Sequence, residues 1–410
     1  MSSSTMSNSK LNATARSISI FVIASTFITL MSLGGSYYYI AAVVITLVFV
    51  GLDLVAGMET SDPSNNNALQ MNASLYMVAP VMLWFLVVYA WFLGGFIHPH
   101  SDPLSLGASL DHLTGLNLLA ARSHTTLPEL IVGAYCLGSI WAAYGTIVGH
   151  ELTHRTWSKP AMIVGRWLLA LTLDASFAIE HVYGHHLNLG TPADPATAQR
   201  GENVYHFLFR STFGQIKGSW HIEANRLARS GYGVWTWRNR MFSGWAMSAA
   251  YAALFYVFAG WQGMLVFIGV ALFGKCYLEA VNFIEHYGIV RVPGTAVEPR
   301  HSWNCNHRVS SWLFFNLTRH SHHHAMADKP YWELRAYPDA PMMPFGYLTM
   351  IYVALIPALF RRVVDPRVLH WDQHFAAPSE YHLIDEANDA SKDRNFVGVR
   401  AHRSAMVAAE

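Results

Sequence analysis

The 410-residue chain is strongly apolar and weakly charged, with 52% hydrophobic and only 13% charged residues. This composition excludes intrinsic disorder, because a chain with so much apolar surface collapses. The net charge of +1 leaves no excess of basic residues to neutralise phosphates, which excludes a nucleic-acid partner. Three cysteines, none in a C-x-x-C pair, exclude a disulfide scaffold and zinc ribbons. Histidine, with 22 copies, is unusually abundant.

Six apolar runs interrupt the first 290 residues, and each is close to the roughly 20 residues that cross a bilayer core as a helix. They cover Ser17 to Leu33, Tyr37 to Gly57, Ser74 to Phe96, Leu127 to Gly149, Phe242 to Ala259 and Trp261 to Ile284. Lys275 is the only Lys or Arg within them. The pattern predicts an all-α integral membrane protein with six transmembrane helices.

The distribution of basic residues predicts the orientation of these helices. Of the 27 Lys and Arg residues, only Lys10, Arg16 and Arg122 precede residue 150. Six crossings put the N-terminus, the 150–241 insertion and the C-terminal region on one side, which the positive-inside rule marks as cytoplasmic. The predicted division is a polar 1–16 segment, transmembrane helices over 17–287, a cytoplasmic 288–386 segment and a polar, loosely held 387–410 tail.

Two apolar segments allow other interpretations. The first run could be a cleaved signal peptide, although it ends without an A-x-A site and a second apolar run follows at once. Phe345 to Phe360 is short for a span, so we expect a helix at the membrane interface or one packed under the cytoplasmic part.

The histidines cluster in four boxes on the predicted cytoplasmic side. The boxes are HELTH with His150 and His154, EHVYGHH with His181, His185 and His186, NFIEHYG with His286, and RHSHHHA with His320, His323 and His324. Residues three or four apart share a helix face, so each of the three multi-histidine boxes can direct two or three imidazoles to one point. Neutral imidazole binds iron, zinc, copper and nickel. Nine imidazoles exceed the needs of one metal ion and suit two.

HELTH alone leaves other classes of protein open. It matches the H-E-x-x-H helix of zinc hydrolases, in which the glutamate is the general base. A membrane zinc metalloprotease would need one further ligand, which leaves the other boxes unexplained. A ferritin-like carboxylate site would need paired Glu-x-x-His helices, and only Glu151-x-x-His154 fits. A metal transporter would place its ligands inside the spans, whereas these clusters lie outside them.

In order and spacing, HELTHR, EHVYGHH, NFIEHYG and RHSHHHA resemble the four signature boxes of membrane-bound alkane 1-monooxygenases of the AlkB type, within the membrane fatty acid desaturase and hydroxylase superfamily. TPADPAT at 191–197, HSWNCNH at 301–307 and DPRVLHW at 365–371 also resemble segments of that family. The resemblance implies two non-haem iron ions held by the nine histidines, with no catalytic residue beyond these ligands. His322 departs from the family pattern, which has Asp there, and it either adds a possible surplus ligand or replaces an acceptor that would orient one of the ligating histidines.

The resemblance also implies an activity, a location and partners. The activity is hydroxylation of the terminal methyl of n-alkanes to 1-alkanols with O₂, in a bacterial inner membrane with the site toward the cytoplasm. Electrons must come from outside, because the chain lacks a nucleotide-binding glycine fingerprint and cysteines spaced for an iron–sulfur centre. The implied donor is a rubredoxin with its NAD(P)H-dependent reductase. Candidates for steering an acidic donor are Arg226, Arg229, Arg238 and Arg240.

An alternative chemistry is side-chain hydroxylation of methyl-aromatics, since xylene-type monooxygenases resemble the same family. Either substrate partitions into lipid, so we expect a channel among the spans. Candidates to line it are Phe49, Trp84, Phe85, Trp91 and Phe92, for which helix packing or lipid contact is the competing interpretation. Candidates to orient the ligands are Glu151, Glu180, Asp194 and Glu285, each equally a possible salt-bridge partner of Arg155, Arg200 or Arg319.

Overall fold

The computed structural model describes residues 21–61 and 68–401. Within these ranges the secondary structure is helical, and β-structure is limited to two isolated bridges, Met58 with His307 and Asn304 with Met342. The predicted all-α class is therefore confirmed for the described residues. Predictions for the 1–16 segment, for the first four residues of the first apolar run and for 402–410 lie outside them.

The described residues divide into two compact units, the first formed by 21–51, 68–175 and 240–275, and the second by 52–61, 176–239 and 276–401. The helices that begin in the first unit are Phe21–Leu33, Tyr37–Val55, Ala68–Ile97, Pro103–Ser105 (3-10), Leu106–Thr114, Leu118–His124, Leu127–Thr153, Lys159–Ala170 and Arg240–His286. Those of the second unit are Phe177–Glu180, the π turn His181–His185, His186–Asn188, Val204–Arg229, Pro299–His301 (3-10), Arg308–Leu313, His320–Ala325, Tyr331–Glu333 (3-10), Tyr347–Ala354, Pro357–His374, Pro378–Glu380 (3-10) and Tyr381–Ala390.

Among the described helices, four are long and apolar enough to cross a membrane, namely Tyr37–Val55, Ala68–Ile97, Leu127–Thr153 and Arg240–His286. Phe21–Leu33 is a shorter apolar helix. At about 1.5 Å per residue, the 47-residue Arg240–His286 helix is more than twice as long as a bilayer core of about 30 Å. Its backbone leaves helical geometry at Ala259 and Gly260, which is the junction of the last two predicted runs.

Contacts within the first unit bring several turns together at one end. The Phe92 ring lies against the Gly34 turn so closely that a Cβ at Gly34 would be 2.3 Å from it. A Cβ at Gly260 would lie 3.6 Å from Nε2 of His98, just beyond the Ala68–Ile97 helix. The turn before the second helix, the end of the third and the 259–260 break therefore share one end of this unit, as alternating crossings require.

The single basic residue within the predicted spans is neutralised by an acid. Lys275 Nζ lies 2.6 Å from Asp174 Oδ2, and both side chains are buried. A buried ammonium without such a partner would carry a large desolvation cost. The ion pair therefore accounts for a lysine in a strongly apolar helical stretch.

The Ala68–Ile97 and Arg240–His286 helices approach closely at Gly94, where an added Cβ would lie 2.1 Å from the Phe258 carbonyl oxygen. We expect Gly94→Ala to lower the stability of the protein by about 1–3 kcal/mol, because the backbone must move to admit the methyl group. Gly269→Ala is the matched control, since nothing lies within 4 Å of its Cβ position. Thermal unfolding in detergent checks this, and equal midpoints for the two variants would contradict the close approach.

The first part of the predicted loose tail is packed. Asn388 and Phe396 are fully buried, and Asn388 donates to Val399 O at 3.1 Å and accepts from Arg200 Nη1 at 2.8 Å. The prediction of a loosely held tail is therefore wrong for 387–401. Its polar composition is misleading because polar side chains within it find buried partners, Asn388 in Arg200 and Asn395 in Asp365.

Candidate metal centre

The HELTH box ends the Leu127–Thr153 helix in the first unit. The Nε2 atoms of His150 and His154 lie 3.1 Å apart. The preceding turn packs against the next helix, and a Cβ at Gly149 would be 3.0 Å from Gly165 O. This close backbone contact fixes the position of the turn that carries both imidazoles.

The EHVYGHH box in the second unit is wound as a π turn over His181–His185, between short α-helical pieces. A π turn brings residues five apart onto one face, whereas an α-helix pairs residues three or four apart. Accordingly, it is His186 whose Nε2 lies 3.1 Å from Nε2 of His181. Nitrogens of His181, His186 and His323 lie within 4.8 Å of one another.

His185 is held by Asp194 from the TPADPAT segment. The two side chains are almost completely buried, with Nδ1 of His185 2.9 Å from Oδ2 of Asp194. The carboxylate also accepts from Thr197 Oγ1 at 2.6 Å and Ala196 N at 3.0 Å. Burial opposes a charged imidazole, yet Asp194, with smaller contributions from Glu180 and Glu285, outweighs burial and raises the pKa of His185. With Nδ1 donating to Asp194, Nε2 is left as the metal-binding atom.

His286, His320 and His324 form the remainder of the cluster in the second unit. His320 Nε2 lies 3.1 Å from His286 Nε2 and 2.9 Å from His324 Nε2. Glu285 Oε1 is 3.3 Å from Nδ1 of His320. Burial and the surrounding imidazoles hold the pKa of His324 well below its usual value. His324 is therefore neutral near pH 7, which is the form that binds metals.

The spacing of these nitrogens fits a metal ion. Two nitrogens bound at about 2.1 Å and at a right angle lie about 3.0 Å apart. The four imidazole contacts described above span 2.9 to 3.1 Å. Nε2 of His185 is buried without a hydrogen-bond partner among the described residues. A metal ion would satisfy this nitrogen, and one ligand atom each from His185, His286 and His324 lie within 4.8 Å of one another.

Three of the other candidate residues make contacts with groups that are not ligating histidines. His322 turns to the backbone, where its Nδ1 accepts from Arg335 N at 2.7 Å. Glu151 forms a salt bridge with Arg155 at 2.9 Å, which was the alternative to orienting a ligand. The Glu180 carboxylate packs at Gly184, where an added Cβ would be 2.7 Å from its Oε1.

The five aromatic candidates for a substrate channel make packing contacts. Trp84 Nε1 donates to Ser32 Oγ at 2.8 Å, and the Phe49 ring centroid is 6.0 Å from that of Phe27. Trp91 Nε1 donates to Asp102 Oδ1 at 2.8 Å. Phe85, Trp91 and Phe92 are buried.

Sequence reasoning missed Arg291, which is fully buried in the second unit. Its guanidinium donates to the carbonyls of Leu187 and Leu189 at 2.7 Å, at the end of the helical segment that carries His186. A cation at a helix C-terminus is favourable because the last carbonyls lack partners. The sequence does contain an indication of a buried cation here, since an arginine five residues after His286 interrupts an apolar stretch.

We expect Asp194→Asn to weaken metal binding about 10- to 100-fold, the usual loss when the partner of a ligating histidine is removed. An amide cannot hold the His185 tautomer as the carboxylate does. Metal content after graded chelator treatment, measured by mass spectrometry, checks this. Asp389→Asn, at an exposed ion pair with Arg400, is the control. Equal metal retention in the two variants would show that Asp194 does not orient a ligand.

Comparison with known proteins places this cluster in a family. The fatty acid desaturase family matches residues 126–354. Alkane 1-monooxygenase 1 of Pseudomonas aeruginosa is 38% identical over 62% of this chain and 66% of its own length. Alkane 1-monooxygenase of Acinetobacter baylyi is 31% identical over 83% of this chain and 79% of its own. The xylene/toluene monooxygenase hydroxylase component of Pseudomonas putida is 33% identical over 59% of this chain and 65% of its own.

The matched segment thus spans slightly less than two thirds of the Pseudomonas aeruginosa relative and more of the Acinetobacter one. Residues 126–354, which match the fatty acid desaturase family, contain all four histidine boxes, and these supply the imidazole groups described above. The apolar helices agree with an integral membrane protein. The chain belongs to the alkane 1-monooxygenase family, within the fatty acid desaturase family of membrane proteins.

Proposed function

We propose that the protein is a membrane-bound non-haem di-iron monooxygenase that converts n-alkanes to 1-alkanols. The reaction inserts one oxygen atom of O₂ into a terminal C–H bond and reduces the other to water with two electrons and two protons. The observation that carries the proposal is the clustering of buried imidazoles at metal-ligand spacing, in a chain whose relatives include named alkane 1-monooxygenases.

The nine histidines of the four boxes are proposed to hold two iron ions. When bound, iron supplies the activation of O₂ that attack on a strong, nonpolar C–H bond requires. The protein groups bind and orient the site, with Asp194 fixing the His185 tautomer. Seven of the nine imidazoles are buried, and His154 and His186 are partly exposed. This burial limits the access of water to the site.

The membrane arrangement is proposed to be six crossings of a bacterial inner membrane, with the histidine boxes on the cytoplasmic side. The break at Ala259 and Gly260 supports two crossings within the Arg240–His286 helix. The turns gathered at one end of the first unit support alternating directions. The excess of basic residues after residue 150 supports the orientation.

Electrons are proposed to arrive from a rubredoxin and its NAD(P)H-dependent reductase. Of the basic candidates for its docking, Arg226 pairs with Glu223, and Arg238 lies over the rings of Tyr232 and Trp237 at 4.6 and 4.8 Å. Arg229 is exposed and carries no such contact among those described. A ring contact leaves the charge of Arg238 in place, so steering of an acidic donor is proposed for Arg229, Arg238 and Arg240, with the charge of Arg226 offset by Glu223.

A second candidate function is hydroxylation of methyl-aromatics, favoured by the 33% identity to the xylene/toluene monooxygenase component. The greater number of alkane 1-monooxygenase relatives favours alkanes. The zinc protease alternative has less support, because Glu151, which would be its base, is paired with Arg155.

Cells that carry this chain with a rubredoxin system, fed separately with octane, hexadecane and xylene, test the proposal. We expect 1-alkanols from at least one alkane and iron in the purified protein. An aromatic alcohol alone would support the second candidate. Zinc in place of iron, with proteolysis that survives His320→Ala, would overturn the oxygenase proposal.

A further inference from the structure

The Val204–Arg229 helix of the second unit has its polarity reversed relative to a helix on a water-facing surface. Its outer face carries an apolar stripe with exposed fractions of 50, 69, 67 and 42%, formed by Tyr205, Phe209, Phe213 and Ile216. Its buried face carries mostly polar residues, including Ser211, Gln215, Ser219 and Glu223. A helix exposed to water normally shows the opposite arrangement.

Hydrogen bonds on the buried face fix this orientation. Gln215 Nε2 donates to Glu279 Oε1 at 2.8 Å and to Ser211 Oγ at 2.7 Å. Ser219 Oγ donates to Ser176 O at 3.2 Å. Rotating the helix to bury its aromatic residues would break these bonds and leave buried polar groups unsatisfied. The stripe is therefore held outward.

The stripe continues onto other parts of the second unit. The Tyr205 hydroxyl donates to Leu355 O at 2.7 Å, and Leu355, Ile356 and Leu359 are exposed beside it. At the other end, the Trp220 ring lies 5.7 Å from that of Trp235. Trp235 and Trp237 are each 81% exposed. We call this continuous set, from Leu359 through the stripe to Trp237, the outer apolar surface.

We infer that the outer apolar surface lies in the interfacial region of the membrane leaflet on the side of the histidine boxes, with the Val204–Arg229 helix in the membrane plane. Trp237 stands three residues before Arg240, where a candidate span begins. The chain at this end of the outer apolar surface is therefore only a few residues away from a segment proposed to enter the bilayer. Tryptophan and tyrosine favour the membrane interface. Exposed Lys217 and Arg362 lie near the surface in sequence and suit anionic lipid headgroups.

Spin labels in the full-length protein test this. Single cysteines are introduced at Phe213 and, as a matched polar site on the same helix, at Asn225. The background is Cys276→Ser, because Cys276 is the exposed native cysteine whereas Cys136 and Cys305 are buried. In phosphatidylcholine and phosphatidylglycerol liposomes, we expect the ratio of O₂ to nickel-chelate accessibility to be several-fold higher at Phe213 than at Asn225. A label at Ile216 repeats the measurement if the Phe213 variant fails to fold.

Each other outcome overturns the inference. High nickel accessibility at Phe213 would mean a water-facing surface, suited to a soluble protein partner. Dipolar broadening between labels at high lipid dilution would mean that a second copy covers the surface. The accessibility measurement reports membrane contact and not catalytic turnover. Failure of the alkane assay would therefore not affect this inference.

Discussion

His324→Ala is expected to abolish hydroxylation and to lower the iron content of the protein, whereas His322→Ala leaves both close to the wild-type level. The two histidines share a box and both are buried. His324 Nε2 lies 2.9 Å from the His320 nitrogen inside the cluster, while the His322 ring accepts a hydrogen bond from Arg335 N and lies 4.9 Å from the Tyr337 ring. Position within the cluster, and not residue type, should decide the outcome.

Iron per chain, measured by mass spectrometry on purified protein, separates the two variants without reference to activity. Alkanol production in cells gives the second measurement. Similar expression of both variants is required, because loss of a buried imidazole can also destabilise the fold. Loss of iron in His322→Ala with retention in His324→Ala would reverse the assignment of ligands within this box.

Arg200→Met is expected to destabilise the second unit by about 3–5 kcal/mol, the usual cost of leaving one partner of a buried ion pair uncompensated. The Arg200 guanidinium binds Asp372 in a bidentate manner at 2.6 and 2.7 Å, and both side chains are buried. It also donates to Gly288 O at 2.9 Å, two residues after His286. Its loss therefore removes a tie between the C-terminal segment and the end of the histidine-bearing helix.

Thermal unfolding in detergent measures this loss, with Arg400→Met as the control because its pair with Asp389 is largely exposed. The double variant Arg200→Met with Asp372→Leu should recover part of the stability, since it removes the unpaired carboxylate as well. A midpoint for Arg200→Met equal to that of Arg400→Met would show that the buried pair does not stabilise the fold.

Sequence patterns predicted the features that follow from periodicity and composition. The apolar runs located the long helices, and box spacing identified the histidines that cluster in the second unit. Patterns could not predict interactions between distant segments, such as Arg200 with Asp372 or Arg291 with Leu187. Those partners are 172 and 104 residues apart, so no local rule connects them. The hydrogen bond from Arg335 N to His322 could not be predicted either, because only the fold decides which residues lie next to the His322 ring.

The π turn over His181–His185 makes this box sensitive to chain length. Such a turn is an α-helix that accommodates one extra residue. With this residue, His181 and His186 are five apart and share one face of the π turn; without it they would be four apart and share one face of an α-helix. An insertion would instead place them six apart, a spacing that neither winding brings onto one face. The pairing of the two imidazoles therefore limits the length of the chain between them more strictly than the identity of the residues in the gap.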